Sequence, residues 1–225
     1  MKRFWKSATI EDGAVRLDGR PVRTPGRALL AVPCPRLADA IAEEWRAVAD
    51  EIDPRAMPLT GLANAAIDRI APDPAAFAAG LARYGESDLL YYRADSPAEL
   101  IARQRAAWDP LLDWARRRYD VHFEVTAGLI HRAQPQATVA RLAEAVAART
   151  AFELAGLSPV VTVTGSLVAA LALLEHAADA ETVWRASRVD EDWQTERWGE
   201  DELAARAREA HRADFDAGAR FLALL

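Results

Sequence analysis

Two Asp-Gly pairs, Asp12-Gly13 and Asp18-Gly19, fall within the first twenty residues, each between short apolar segments. Both central residues of a type I′ turn need positive φ, and aspartate followed by glycine tolerates that conformation. Phe4, Trp5, Thr9 and Ile10 precede the first turn, and Val15 and Leu17 separate the two. Val22 and Thr24 lead to a third turn at Pro25-Gly26, before Leu29 to Val32. The spacing predicts a four-stranded antiparallel meander. A sheet this small cannot bury both faces by itself, so a helix has to cover one of them.

The following segment supplies that helix. Leu37, Ile41, Trp45, Val48 and Ile52 recur at helical spacing, with Asp39, Glu43, Glu44 and Arg46 off the apolar stripe. Asp53-Pro54 is expected to close it, because the residue before proline is pushed out of the α region. The first unit therefore ends near residue 55. Beyond it only helical patterns occur. Thr60 and Asp73-Pro74 read as helix starts, and Ser96-Pro97-Ala98-Glu99 reads as a capping box opening a helix with Leu100, Trp108, Leu111 and Trp114. One helix is expected from Pro135 through Leu154 with Gly156 as its stop, and a buried helix from Ser158-Pro159 onward. Ala180 to Arg197 forms the next, Gly199 is a stop, and a last amphipathic helix runs from about Asp201 to Leu225. The fold class expected is α+β. A small N-terminal antiparallel β-rich domain (1–55) is followed by a larger all-helical C-terminal domain (56–225).

The 225 residues are 51% hydrophobic and 28% charged, enough to bury a core of this extent. Acids outnumber bases, giving a net charge of −6, and the only run of three basic residues is Arg116-Arg117-Arg118. That pattern is a solvated helix face rather than a nucleic-acid stripe. The single Cys34 excludes an intrachain disulfide and fits a reducing compartment. No basic-then-apolar signal pattern opens the chain. The longest apolar stretch, Val160 to Leu174, is interrupted by Thr162, Thr164, Gly165 and Ser166 and falls short of a membrane span. A protein without membrane insertion, in the cytoplasm, is the expectation.

Motifs for chemistry are missing. There is no glycine-rich phosphate loop and no dinucleotide fingerprint. His122, His131, His176 and His211 contain no pair at metal-ligand spacing, so no metal site is expected. Cys34 between two prolines has nothing to lower its pKa, and Ser166 lacks a nucleophile elbow. Carboxylates are dense at Asp190, Glu191, Asp192, Glu196, Glu200, Asp201 and Glu202. Consecutive helical positions point to different sides, so a solvated acidic face is expected rather than an acid–base pair. Asp88 and Arg93 flank Tyr91 and Tyr92, and an ion pair between them is expected to lock a helix corner. Trp193 and Trp198 stand among the acids between Arg188 and Glu200. Each can bury on the order of 150–250 Å², so each either packs on the protein's own core or is offered to a partner.

Several phrases together resemble one family. Arg3-Phe4-Trp5-Lys6, the run from Leu17-Asp18-Gly19 to Pro25, Ile41-Ala42-Glu43-Glu44-Trp45 and Met57-Pro58-Leu59-Thr60 resemble the assembly chaperones of F-type ATP synthase, in the branch that binds the α subunit. So do Tyr84 with Asp88 to Ala94, Gln104 with Trp108-Asp109-Pro110-Leu111, and Asp190-Glu191 with Gln194 and Trp198-Gly199. The resemblance spans nearly the whole chain in order. It implies the same two-part fold and a role in binding newly made α subunit, shielding its β-facing surface until the hexamer forms, with no cofactor and no catalysis. It implies that Glu191, in the motif Asp190-Glu191 with Gln194 and Trp198-Gly199, matters for function; with Trp193 added for its indole among the acids, Asp190, Glu191, Trp193, Gln194 and Trp198 are the expected client-binding set, core packing being the other account of the two tryptophans. Asp18, Gly19, Trp45, Asp88 and Arg93 are the structural motif. A bacterial relative, without the targeting extension of mitochondrial members, is the expectation. The residues leave two competing readings open: a small-molecule enzyme using carboxylates such as Asp88 or Glu191 in an interdomain cleft, and a scaffold for some other protein.

Overall fold

Asp12 and Gly13 adopt φ of 52° and 74°, and Asp18 and Gly19 φ of 48° and 79°, so both pairs form left-handed turns. The computed structural model describes residues 2–128, 130–199 and 201–225. Strands β1 (Ala8–Glu11), β2 (Ala14–Leu17) and β3 (Arg20–Pro21) form an antiparallel sheet in the order β1-β2-β3. Asp18 also ties the hairpin to the chain before β1, accepting N–H bonds from Lys6 at 3.1 Å and Ser7 at 2.9 Å. The expected fourth strand is reduced to isolated bridges, Ala14 with Ala31 and Arg23 with Leu29. Leu30 accepts from Val15 N at 3.1 Å and donates to Val22 O at 2.9 Å. Leu30 thus bridges β2 and the segment just after β3.

Helix α1 (Pro35–Ala47) covers the sheet with Leu37, Ile41 and Trp45. Trp5 and Trp45 meet edge to face at 5.3 Å, and Trp5 Nε1 donates to Trp45 O at 3.2 Å. The helix stops at Ala47, earlier than Asp53-Pro54 predicts. The N-terminal arm takes the backbone there instead: Arg3 N bonds Asp50 O, and Lys2 bridges Glu51. Asp53 caps a 3₁₀ turn, accepting from Arg55 N at 2.9 Å. Helix α2 (Pro58–Ala65) is capped from outside by Glu44 of α1, which accepts from Leu59 N and Thr60 N at 2.8 Å each. Thr60 is therefore inside the helix and not its cap.

The rest is helical apart from one short ladder. Helix α3 (Pro74–Ala82) is capped by Asp73, as its Asp-Pro start predicts. Strand β4 (Tyr92–Arg93) pairs in parallel with β5 (Thr126–Ala127) on either side of α4 (Ala98–Tyr119). Pro97, not Ser96, precedes α4, so the expected capping box is absent there. A capping box forms instead between Thr150 and Glu153, and this separates α5 (Gln136–Ala147) from α6 (Ala151–Thr164). The stop expected at Gly156 is overturned by packing: α10 (Glu202–Ala223) crosses α6 there, and a Cβ on Gly156 would meet Leu222 Cδ2 at 2.6 Å. Glycine sits mid-helix because another helix needs the space. The buried apolar run is likewise split, because Gly165 turns left-handed (φ 64°) and Ser166 caps α7 (Leu167–Leu174). Helices α8 (Ala180–Ser187) and α9 (Val189–Trp198) precede α10, whose cap is Asp201. One hydrophobic cluster runs from Trp5 and Val15 through Trp108 and α7 to Phe221. Among the described residues no helix is long and apolar enough to cross a membrane.

Candidate functional site: the outer face of α9 and the cleft beside it

The apolar spacing from Ala180 to Arg197 predicts one helix, yet the chain breaks at Arg188 (φ −109°, ψ 5°). The carbonyls that would continue the ladder are taken by side chains. Trp108 Nε1 of α4 donates to Ala186 O at 2.7 Å, and Ser187 Oγ donates to Trp184 O at 2.8 Å. The break re-aims α9 so that one side lies on α4.

That side is held by a dense set of contacts. Trp193 is only 5% exposed, and its ring is flanked by the guanidinium of Arg103 at 4.8 Å and that of Arg197 at 4.4 Å. Arg103 pairs with Glu196 at 2.7 Å, and Arg197 pairs with Glu99 at 2.9 Å. The hydrogen bond from Arg103 holds the Glu196 carboxyl below its usual range. Gln104, itself 1% exposed, donates Nε2 to Asp190 at 2.7 Å while its Oε1 accepts from Ala94 N at 2.8 Å. On a further side, Asp192 pairs with Arg208 of α10 at 3.0 Å.

The opposite side is open. Glu191, Gln194 and Trp198 are spaced i, i+3, i+7 and share the outward stripe. Trp198 is 78% exposed, and among the described residues Glu191 pairs with Arg188 alone, at 3.3 Å. The two tryptophans thus divide: Trp193 packs against the protein's own arginines, and Trp198 stands in solvent. The acidic group is equally divided. Asp190, Glu191, Asp192 and Glu196 are each tied to the partners just named, Asp201 caps α10 and Glu202 pairs with Arg206. Glu200 lies outside the described residues. The result is a clamp for α9, and among the described acids no two converge on a reactive centre.

Beside α9 opens a cleft of about 830 Å³, lined by Tyr92, Arg93, Gln104, Gly128, Asp190 and Gln194 among others. Arg93 does not pair with Asp88, contrary to the sequence expectation. Its Nη2 donates to Asp109 at 2.7 Å, and its guanidinium lies 4.9 Å from the Trp108 ring centroid. Burial lowers the Arg93 pKa. Asp88 is wholly buried and accepts from Leu90 N at 3.0 Å and Val168 N at 2.9 Å. It joins the turn before β4 to the first turn of α7, and burial pushes its carboxyl up to about 6. Backbone amides hold Asp88 while Glu191 stands in solvent, so the two share no cleft. Among the described residues no group of three His, Cys, Asp or Glu side chains is placed to hold a metal ion.

Reading the sequence for sites passed over Arg103, Arg197 and the bond that Gln104 makes. Gln104 carried a signal: it lies on the apolar stripe of α4 with Trp108, Leu111 and Ala115. A polar residue there has to find a partner, because an unpaired buried amide is costly.

Residues 2–116 match the family model described as ATP12 chaperone protein. The chain belongs to the ATP12 chaperone family. Members are chaperones of ATP synthase assembly, not enzymes. Protein atp12, mitochondrial, from Schizosaccharomyces pombe is 27% identical over 214 residues, covering 88% of this chain and 74% of that protein. The crystal structure of Atp12 from Paracoccus denitrificans superposes with a TM-score of 0.94 at 44% identity, covering 99% of this chain and 97% of that one. A putative chaperone from Agrobacterium tumefaciens gives 0.92 at 39% identity, over 99% and 85% of the two chains.

Proposed function

We propose that the chain holds the free α subunit of F-type ATP synthase, shielding the flank that later meets the β subunit, and that the outer stripe of α9 makes the contact. The observation that carries this reading is Trp198, 78% exposed on a helix clamped by two ion pairs and a buried amide. A large exposed aromatic on a rigid support is the composition of a binding anchor, since little side-chain freedom is lost on docking. Glu191 and Gln194 share its stripe, and Asp190 lines the cleft beside it; such polar groups suit a client that must later be released. Trp193 supports the stripe from beneath. An unassembled subunit exposes apolar interface, an aggregation hazard that such a patch masks. Identity to the two bacterial structures exceeds that to the mitochondrial protein, which supports a bacterial cytoplasmic setting.

The test is capture of purified α subunit by immobilised protein. Trp198→Ala is expected to weaken capture by about 2 kcal/mol, roughly thirtyfold, with the circular dichroism spectrum unchanged. Undiminished capture by that variant sinks the assignment of the α9 stripe.

A further inference from the structure

The cleft beside α9 has apolar walls and an unbalanced charge. Leu89 and Tyr92, from the turn before β4 and from β4 itself, face it together with Leu100 of α4. Asp95 and Asp190 line it as well. One buried side chain joins their supports: Gln104 accepts from Ala94 N, the neighbour of Asp95, and donates to Asp190.

Neither acid is matched by a cation. Asp190 is half-buried and bonded to the neutral Gln104 amide, and exposed Asp95 accepts from Ser96 Oγ at 3.2 Å. Among the described residues neither is in an ion pair. Arg93 also lines the cleft, but its charge is met by Asp109, which does not, at 2.7 Å. Its Nε and Nη1 are buried, so the cleft is left with an excess of negative charge. A carboxylate that is partly withdrawn from water attracts a cation more strongly than a fully solvated one.

We propose that this cleft receives a cationic side chain, arginine or lysine, from an extended segment of the client; that the segment is the client's rests on the chaperone reading above. The long apolar stem of such a side chain packs on Leu89, Tyr92 and Leu100 while its head meets Asp95 and Asp190. Gln194 belongs both to the cleft lining and to the outward stripe of α9, so a segment lying across Trp198 reaches the cleft without a break. A divalent cation fits less well. It needs six or more oxygen ligands, and among the described residues no group of three candidate side chains is placed to hold one.

The test uses the full chain and a fluorescein-labelled octapeptide of alternating alanine and arginine, followed by anisotropy. Asp95→Asn with Asp190→Asn keeps the size of both side chains and an acceptor for Gln104 Nε2, and is expected to weaken binding by about tenfold. Asp95→Asn alone changes an exposed position outside the Gln104 bond and is expected to weaken it by about threefold with the thermal midpoint unchanged. The same charge change at exposed Asp39 of α1 and Asp214 of α10 is expected to leave binding unaltered. Equal binding by the cleft variants, or an equal loss in the control, overturns the proposal. So does displacement of the labelled peptide by spermine as readily as by unlabelled peptide, which would mark a site for small cations. Loss of the peptide with undiminished capture of α subunit by Asp95→Asn overturns the client as the source of the segment. Because the peptide measurement contains no α subunit, a failure of the α9 reading leaves the cation site standing, and the reverse also holds.

Discussion

Asp190 on α9 accepts a 2.7 Å hydrogen bond from Nε2 of Gln104 on α4, and Gln104 is otherwise closed in the core with its Oε1 on Ala94 N. One buried amide therefore sets the distance between α9, the long helix beneath it and the strand segment β4. Replacing it with leucine keeps the volume but leaves Ala94 N and Asp190 without that partner. Gln104→Leu is expected to lower stability by about 1–3 kcal/mol, read as a shift in urea midpoint at unchanged slope. It should also weaken α-subunit capture, although Gln104 itself is covered.

The two tryptophans of α9 are expected to separate stability from binding. Trp193→Ala removes a ring buried between two guanidinium groups and should cost about 3–5 kcal/mol in a denaturant titration. Trp198→Ala removes an exposed ring and should change stability by less than about 0.5 kcal/mol. Equal losses in the two variants would mean that α9 does not present Trp198 as described.

Glu191 lies on the outward stripe and, among the described residues, pairs with Arg188 alone, at 3.3 Å. Glu191→Lys is expected to leave the thermal midpoint within about 2 °C of wild type and to reduce capture, since the exposed pair is worth under about 1 kcal/mol. Normal capture removes Glu191 from the contact surface.

Asp88 gives a pH signature. Its folded pKa of about 6 lies above the unfolded carboxylate value of about 3.9, so the folded state binds this proton more tightly. Its contribution is fully present below about pH 4 and is lost as pH rises to about 6. The stability difference between wild type and Asp88→Asn should therefore shift against wild type by about 2–3 kcal/mol across that window, measured by denaturant titration at each pH. A shift in favour of wild type over the same range would show that the amide bonds, not burial, dominate.

Gly218 on α10 faces Gly156 on α6. A Cβ at 218 would lie 2.8 Å from Gly156 O and 2.7 Å from Pro159 Cγ, neither of which can swing aside. Gly218→Ala is expected to destabilise by about 1–3 kcal/mol. Gly156→Ala meets the flexible end of Leu222 and should cost less, with calorimetric midpoints giving the order.

Local chemistry determined much of this protein from sequence alone. The Asp12-Gly13 and Asp18-Gly19 turns, the Asp73-Pro74 and Asp201 helix starts, the Gly199 stop and the α1 stripe against the sheet all depend on neighbours within a few residues. What only the tertiary structure decided depended on partners far along the chain. Gly156 reads as a helix stop until α10 is seen lying on it, and Thr60 reads as a cap until Glu44 arrives from α1. Arg93 reads as Asp88's partner until Asp109 and Trp108 claim it. The division between Trp193 and Trp198 is of the same kind. Helical periodicity placed them on different sides of α9, but only the contact with α4, fixed by Gln104, Arg103 and Trp108, determined which side faces water.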